Sequence, residues 1–322
     1  GTTSAPYSSG ENNVAIGYQA LQAFTTGQLN TVIGHTAGTA ITTANYNTIV
    51  GAWAGDAVTS GGYNTVLGFQ AFSAASSDST HTVAIGYQAG LAITSGDGNI
   101  MIGAGAGSVT TDVDKAVIIG QNAGTANMTS GADGTIAIGY QALTAITSPA
   151  GNTAIGYNAG HELVTGHSNT FIGYEAGADF DAGESNLTAI GRNAMGEADN
   201  DSSSNSVAIG VNALKGSTGY FVSSIAIGND SMSNTSTRGV VGNIAIGQNA
   251  MDSTFGGTIT DCIAIGRDSM HHASNQLNAV TGTIGIGYST LQSLTTGNYN
   301  IAIGYNAGNA MTTTVDTVLI GG

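Results

Sequence analysis

One short pattern of apolar and polar positions recurs along the whole chain: a β-branched residue, a small or apolar residue, Ile, then Gly. The glycine falls at positions 17, 34, 51, 68, 86, 103, 120, 139, 156, 173, 191, 210, 228, 247, 266, 287, 304 and 321, which is 18 copies. Steps are 17 or 18 residues for most of the first half, lengthen to 18–21 between Gly191 and Gly287, and return to 17. A period of this size is the signature of a repeat architecture in which each repeat is one supersecondary unit stacked on the next.

The columns through these copies predict a strand. Immediately before Gly stands Ile in 16 copies, with Val50 and Leu67 in the other two. Three before Gly, every residue is Val, Ile or Thr. These two columns share one face, because side chains alternate across a strand. That face is expected to be the interior of the stack, with Ile16, Ile33, Ile85, Ile155, Ile172, Ile209, Ile246 and Ile303 as its core. The column between them, two before Gly, points the other way. It is Ala in ten copies and never polar. A strand apolar on both faces is buried on both. Because a monomer rarely exposes a long apolar patch, Ala15, Ala84, Ala154, Ala208, Ala245 and Ala302 are expected to meet an identical chain near a common axis.

Four before Gly, Asn appears nine times. Stacked copies of it predict an amide ladder. After Gly a second short strand is expected, with Ala three residues on in 14 of 17 copies. Next comes either Gly or a large residue (Leu, Met or Phe), and then a polar return such as Thr25-Thr26-Gly27. Each repeat therefore reads as two short strands and two turns. The fold class is all-β: a parallel β-solenoid, or β-roll, of about 18 coils of 17–21 residues, with an intertwined parallel homotrimer expected from the Ala column. At ~4.8 Å per coil this gives a rod of roughly 85 Å. Residues 1–11 read as a linker or N-terminal cap and residues 12–322 as a single repeat domain. The chain stops at Gly322 within a coil, which suggests a continuation.

Composition narrows the function. Charged residues are 8%, against about a quarter in ordinary globular domains. The net charge is −15, with only five fixed cations. Such a surface repels phosphate backbones and lacks the basic cluster that anionic lipid attracts, so no nucleic acid and no membrane insertion are expected. Apolar runs are far shorter than the ~20 residues of a spanning helix. Cys262 is the single cysteine, which removes an intrachain disulfide and Cys-based metal sites; it stands where repeats carry Asn, Thr or Ser and reads as a buried small residue.

The segment Asn152-Thr-Ala-Ile-Gly-Tyr-Asn-Ala-Gly160 and the segment Asn205-Ser-Val-Ala-Ile-Gly-Val-Asn-Ala-Leu214 resemble the head repeats of trimeric autotransporter adhesins. The longer stretch 152–173 resembles repeats of bacteriophage tail fibres and related bacterial surface proteins. The resemblance covers residues 12–322. It implies left-handed parallel β-rolls intertwined as trimers, outside the cell or on a virion. The 17-residue period is longer than that of typical adhesin heads, which favours the fibre.

Catalytic signatures are missing. The six histidines lack His-Glu-x-x-His spacing, no Gly-x-Ser-x-Gly elbow occurs, and Gly103-Ala-Gly105-Ala-Gly107 is the ordinary repeat glycines plus one. No enzyme, no cofactor and no metal site is expected; His271-His272 and the acidic stretches 179–181 and 197–201 read as solvated loops. Candidate ligand contacts are Trp53, in a column otherwise polar, and Phe180, Tyr220, Phe221 and Phe255, in the stretch where added residues should leave the coil as loops. Aromatic faces among Asn, Asp and Ser suit a host-surface glycan. The expected function is a non-catalytic fibre or stalk segment for attachment to a host or surface. The alternatives are a repeating subunit of a long extracellular filament, stacking end to end, and an ice- or surface-binding solenoid carrying Thr and Asn ladders.

Overall fold

The computed structural model describes all residues except 1–8, 74–78, 149, 198–201, 217–218, 235–238, 253–256 and 273–276. The fold is all-β, a parallel β-solenoid. Two compact units are distinguished, Gly1–Ile155 and Gly156–Gly322. Both are built from the same coil.

Every signature copy supplies one three-residue strand. In the first unit these are β1 (Val14–Ile16), β2 (Thr31–Ile33), β3 (Thr48–Val50), β4 (Thr65–Leu67), β5 (Val83–Ile85), β6 (Ile100–Ile102), β7 (Val117–Ile119), β8 (Ile136–Ile138) and β9 (Thr153–Ile155). Each pairs in parallel with the next, and the register places like column on like column: Val14 on Thr31, Ala15 on Val32, Ile16 on Ile33.

The second unit continues with β10 (Thr170–Ile172), β11 (Thr188–Ile190) and β12 (Val207–Ile209). Its longer coils add a second ladder. There β13 (Phe221–Val222), β15 (Val240–Val241) and β17 (Ile259–Thr260) pair with one another, between the main strands β14 (Ile225–Ile227), β16 (Ile244–Ile246) and β18 (Ile263–Ile265). The main ladder ends with β19 (Ile284–Ile286), β20 (Ile301–Ile303) and β21 (Val318–Ile320). Among the described residues of these longer coils, Phe221–Val222, Val240–Val241 and Ile259–Thr260 build sheet. In the first unit, the 19-residue step before Gly139 contains a 3-10 turn at Ser130–Ala132.

The face assignment from sequence is inverted. Ala84, Ala154, Ala208, Ala245 and Ala302 are fully buried inside their own coil, and Ala15 is half-buried at the first coil. They therefore do not form the inter-chain column. The predicted core isoleucines face outward instead: Ile16 is 57% exposed, Ile155, Ile209, Ile246 and Ile303 are exposed, and Ile33, Ile85 and Ile172 are half-buried. The physical reason is room. A coil of 17 residues has a narrow interior, and each three-residue strand sends one side chain into it. That side chain is the middle one, two before Gly.

The residues after Gly form no second strand in the regular coils. They form a run of turns, with the positions two and four after Gly both left-handed: Gln19 (φ 55°) and Leu21 (φ 54°) in the first coil, Asn193 (φ 54°) and Met195 (φ 52°) in a later one. Between them lies the Ala column, Ala37, Ala54, Ala89, Ala123 and their equivalents, fully buried. The left-handed turn four after Gly explains the alternation of Gly with Leu, Met or Phe. Where it is Gly, the strand residue across the interior is often large: Val32 with Gly38, Ile49 with Gly55, Met101 with Gly107, Phe171 with Gly177. Where it is large, the strand residue is usually Ala: Ala189 with Met195, Ala208 with Leu214, Ala245 with Met251. The two columns share one fixed volume, as close packing requires.

The signature Gly has φ near +135° in coil after coil, and a Cβ there would collide with the carbonyl of the next coil's Gly. The amide ladder forms as expected. The Asn30 amide nitrogen donates to Asn13 Oδ1 (3.0 Å) and to the carbonyl of Ala44 (2.8 Å), and Asn47 repeats the arrangement on Asn30. These Asn side chains are buried, so each satisfies backbone that would otherwise be orphaned.

Candidate interaction surfaces

With its middle residue turned inward, each strand presents its flanking residues to the outside, and the residue after Gly joins them. In the first coil Val14, Ile16 and Tyr18 are all exposed. The same three columns recur down each unit, so the outward strand face carries Val, Thr and Ile on successive coils, while the column after Gly adds aromatic side chains in some coils and Gln121, Arg192, Asn229, Gln248 or Arg267 in others. Leu67, Ile100, Tyr157 and Tyr305 are further exposed members.

In the first unit the outer column becomes a ring ladder. Tyr18 stacks on His35 (5.2 Å), His35 meets Trp53 edge-on (5.2 Å), Trp53 meets Phe69 edge-on (5.2 Å), and Phe69 stacks on Tyr87 (5.8 Å). Trp53 belongs to the column two after Gly, but its ring fills the gap that Ala52 leaves between His35 and Phe69. It is 39% exposed. In the stacked pairs Tyr18–His35 and Phe69–Tyr87 each ring turns one face to its partner, and that face is closed to a sugar ring, which needs a free one. A shorter ladder, Tyr46, Tyr63 and His81, runs along the other edge of the band with ring separations of 4.8 and 4.9 Å.

Among the described residues, the other predicted ligand contacts do not gather into a site. Phe180 and Phe221 are fully buried; Phe180 stacks on Phe171 (5.7 Å) and meets Phe221 edge-on (6.2 Å). They are core residues, because the lengthened coils enclose a larger interior that Ala and Met alone would leave void. Tyr220 is half-buried, its ring lying over the space where Gly239 lacks a side chain. Phe255 lies outside the described residues.

A groove of about 290 Å³ runs along four consecutive turns of the second unit, bordered by Asn158, Glu162, Glu175, Asp179, Asn193 and Glu197. Lys215 enters one end and pairs with Glu197 at 2.9 Å. Asp179 is engaged as well, accepting from the Glu197 backbone N–H at 2.7 Å. Among the described residues no group of three or more His, Cys, Asp or Glu side chains is placed to hold a metal ion, and no helix is long and apolar enough to cross a membrane.

The threonine columns are used in stacking. The Thr25 hydroxyl donates to the Thr42 carbonyl (2.9 Å), Thr94 to Thr111 (3.0 Å) and Thr295 to Thr312 (2.9 Å). Cys262 is fully buried beside the carbonyls of Thr260 and Val280, and burial pushes its thiol pKa up to about 11. No protein-family model and no curated protein sequence matches the chain.

Proposed function

We propose that this chain is a non-catalytic structural segment of an extracellular attachment fibre or stalk, assembled as a parallel homotrimer through the outward strand face. The observation that carries the reading is the outward band itself: Ile, Val and aromatic side chains left in solvent on successive coils, although a coil interior was available to bury apolar groups. A band of this extent marks an interaction surface. It repeats at the spacing of the coils, so a partner that covers it must carry the same spacing. A second copy running parallel has that spacing automatically, and each ladder of rings then meets its own equivalent. Three chains, and a place on a virion or a cell surface, rest on the resemblance of 152–173 and 205–214 to tail-fibre and adhesin repeats. The net charge of −15 keeps such a fibre soluble and away from nucleic acid.

The test is the mass of the assembly. Sedimentation equilibrium should give about three times the chain mass of 31.8 kDa. A stable, soluble monomer at micromolar concentration would remove the interface and the function built on it.

A further inference from the structure

The long coils of the second unit contain a histidine pair, each with one buried ring nitrogen that lacks a hydrogen-bond partner among the described residues, of which His271 alone has carboxylates beside it. His271 stacks in the same column as Asp252 of the preceding coil, with Nε2 3.9 Å from Asp252 Oδ2 and Nδ1 3.8 Å from Asp268 Oδ1. Both carboxylates are fixed. Asp252 Oδ1 accepts from the Ser233 hydroxyl (2.7 Å) and the Asn234 amide (2.8 Å), and Asp268 Oδ1 accepts from the Asn249 amide (2.8 Å). Arg267 approaches the other oxygen of Asp268 at 3.7 Å and also covers the Tyr288 ring. His272, next in sequence, is only 7% exposed, and its Nε2 is buried with no hydrogen-bond partner among the described residues. The neighbouring segments 253–256 and 273–276 contain no titratable side chain.

A proton has opposite effects at these two rings. On His271 it creates an ion pair with two held carboxylates on consecutive coils and tightens their stacking. On His272 it places a charge and a new N–H donor where no acceptor waits among the described residues, beside a like-charged neighbour. Burial of a charge without a partner is costly enough that the group is expelled or the structure opens around it. The lowered pKa of His272, caused by burial and opposed by a hydrogen bond to the backbone of Leu294, agrees with this geometry.

We propose that His272 is an acid-operated release point: its protonation drives the ring out from between the coils of Gly266 and Gly287 and opens the solenoid there, while the regular coils of the first unit stay closed. The opening is local because the solenoid is a series of coils that each contact only their neighbours.

The experiment is hydrogen exchange of the full chain read by mass spectrometry at pH 7.5 and 5.0, corrected for intrinsic exchange and referenced to the coils between Gly34 and Gly68. The expected result is that protection of peptides covering 266–272 and 290–296 falls about tenfold at pH 5.0 relative to that reference. The His272→Gln chain should lose this acid response. The His271→Gln chain should keep it and show it at a higher pH, since the like charge beside His272 is gone. Equal protection of the parent chain at both pH values overturns the proposal, as does an undiminished acid response in His272→Gln. If His272→Gln does not fold, the parent comparison and the direction of the His271→Gln shift still decide.

Discussion

Phe171 and Gly177 face each other across the interior of one coil: a Cβ on Gly177 would stand 2.7 Å from a carbon of the Phe171 ring. One coil further on, the same two positions are Ala189 and Met195, both fully buried. The coil thus has two interchangeable fillings. Phe171→Ala alone should leave a cavity and cost about 3–5 kcal/mol. Gly177→Met alone should overpack the ring. The double variant Phe171→Ala, Gly177→Met recreates the filling of the next coil and should recover most of the loss. Chemical denaturation of the four chains checks this; additive losses would show that the two columns do not share one volume.

The repeat made much of this fold readable in advance. Period, parallel stacking and Asn ladder all followed from columns of the sequence. The inward face did not, because both faces of each strand are apolar and hydrophobicity alone has no preference between Ile155 and Ala154. Size was the available signal: a narrow coil accepts Ala, and the reciprocal exchange between Phe171–Gly177 and Ala189–Met195 marks which columns are neighbours. Longer spacing alone does not separate a loop aromatic from a core one: Phe180 and Phe221 fill the interior, and β13, β15 and β17 pair additional backbone.

Adjacent residues on one strand should respond differently to the same substitution. Ala208 points into its coil and Ile209 out of it. Ala208→Asp buries an unpaired carboxylate and should prevent that coil from forming. Ile209→Asp leaves the coil intact and, with Ile246→Asp, should dissociate the proposed trimer into folded chains. Circular dichroism and sedimentation on both variants separate the outcomes; a folded Ala208→Asp chain would contradict the inward assignment.

The bending glycines should resist even the smallest side chain. Gly210 has φ +138°, and a Cβ there meets the backbone of Gly228, 2.6 Å from its carbonyl carbon. Gly210→Ala combines a strained backbone, worth of order 1–3 kcal/mol, with a steric clash that only separation of two coils relieves. Gly134 is also at positive φ but has open space around it. Gly134→Ala should cost only about 1 kcal/mol. Melting curves that rank the two variants the other way would refute this account of the Gly column.

Cys262 gives a test of burial that needs no assumption about partners. Its thiol lies in the column that carries Asn in other coils, and its Sγ sits 3.4 Å from the Thr260 carbonyl. Burial is the main cause of a pKa of about 11 against 9.0 for an unburied thiol. The folded chain therefore holds this proton at pH values where the unfolded chain has released it. Stability from this group is unaffected below pH 9, falls as pH rises from 9 to 11, and levels off above that. Two pKa units correspond to about 2–3 kcal/mol. Tyr and Lys titrate in the same range, so the comparison is with Cys262→Ser, a residue this column already accepts at Ser206 and Ser224, both fully buried. The stability difference between parent and variant should shift by about 2–3 kcal/mol in favour of the variant between pH 8 and pH 11. At pH 8 the native thiol should also resist an aromatic disulfide reagent that labels it at once in denaturant. Rapid labelling of the native chain would show that the coil at Gly266 is open to solvent and that Cys262 is not part of the packed column.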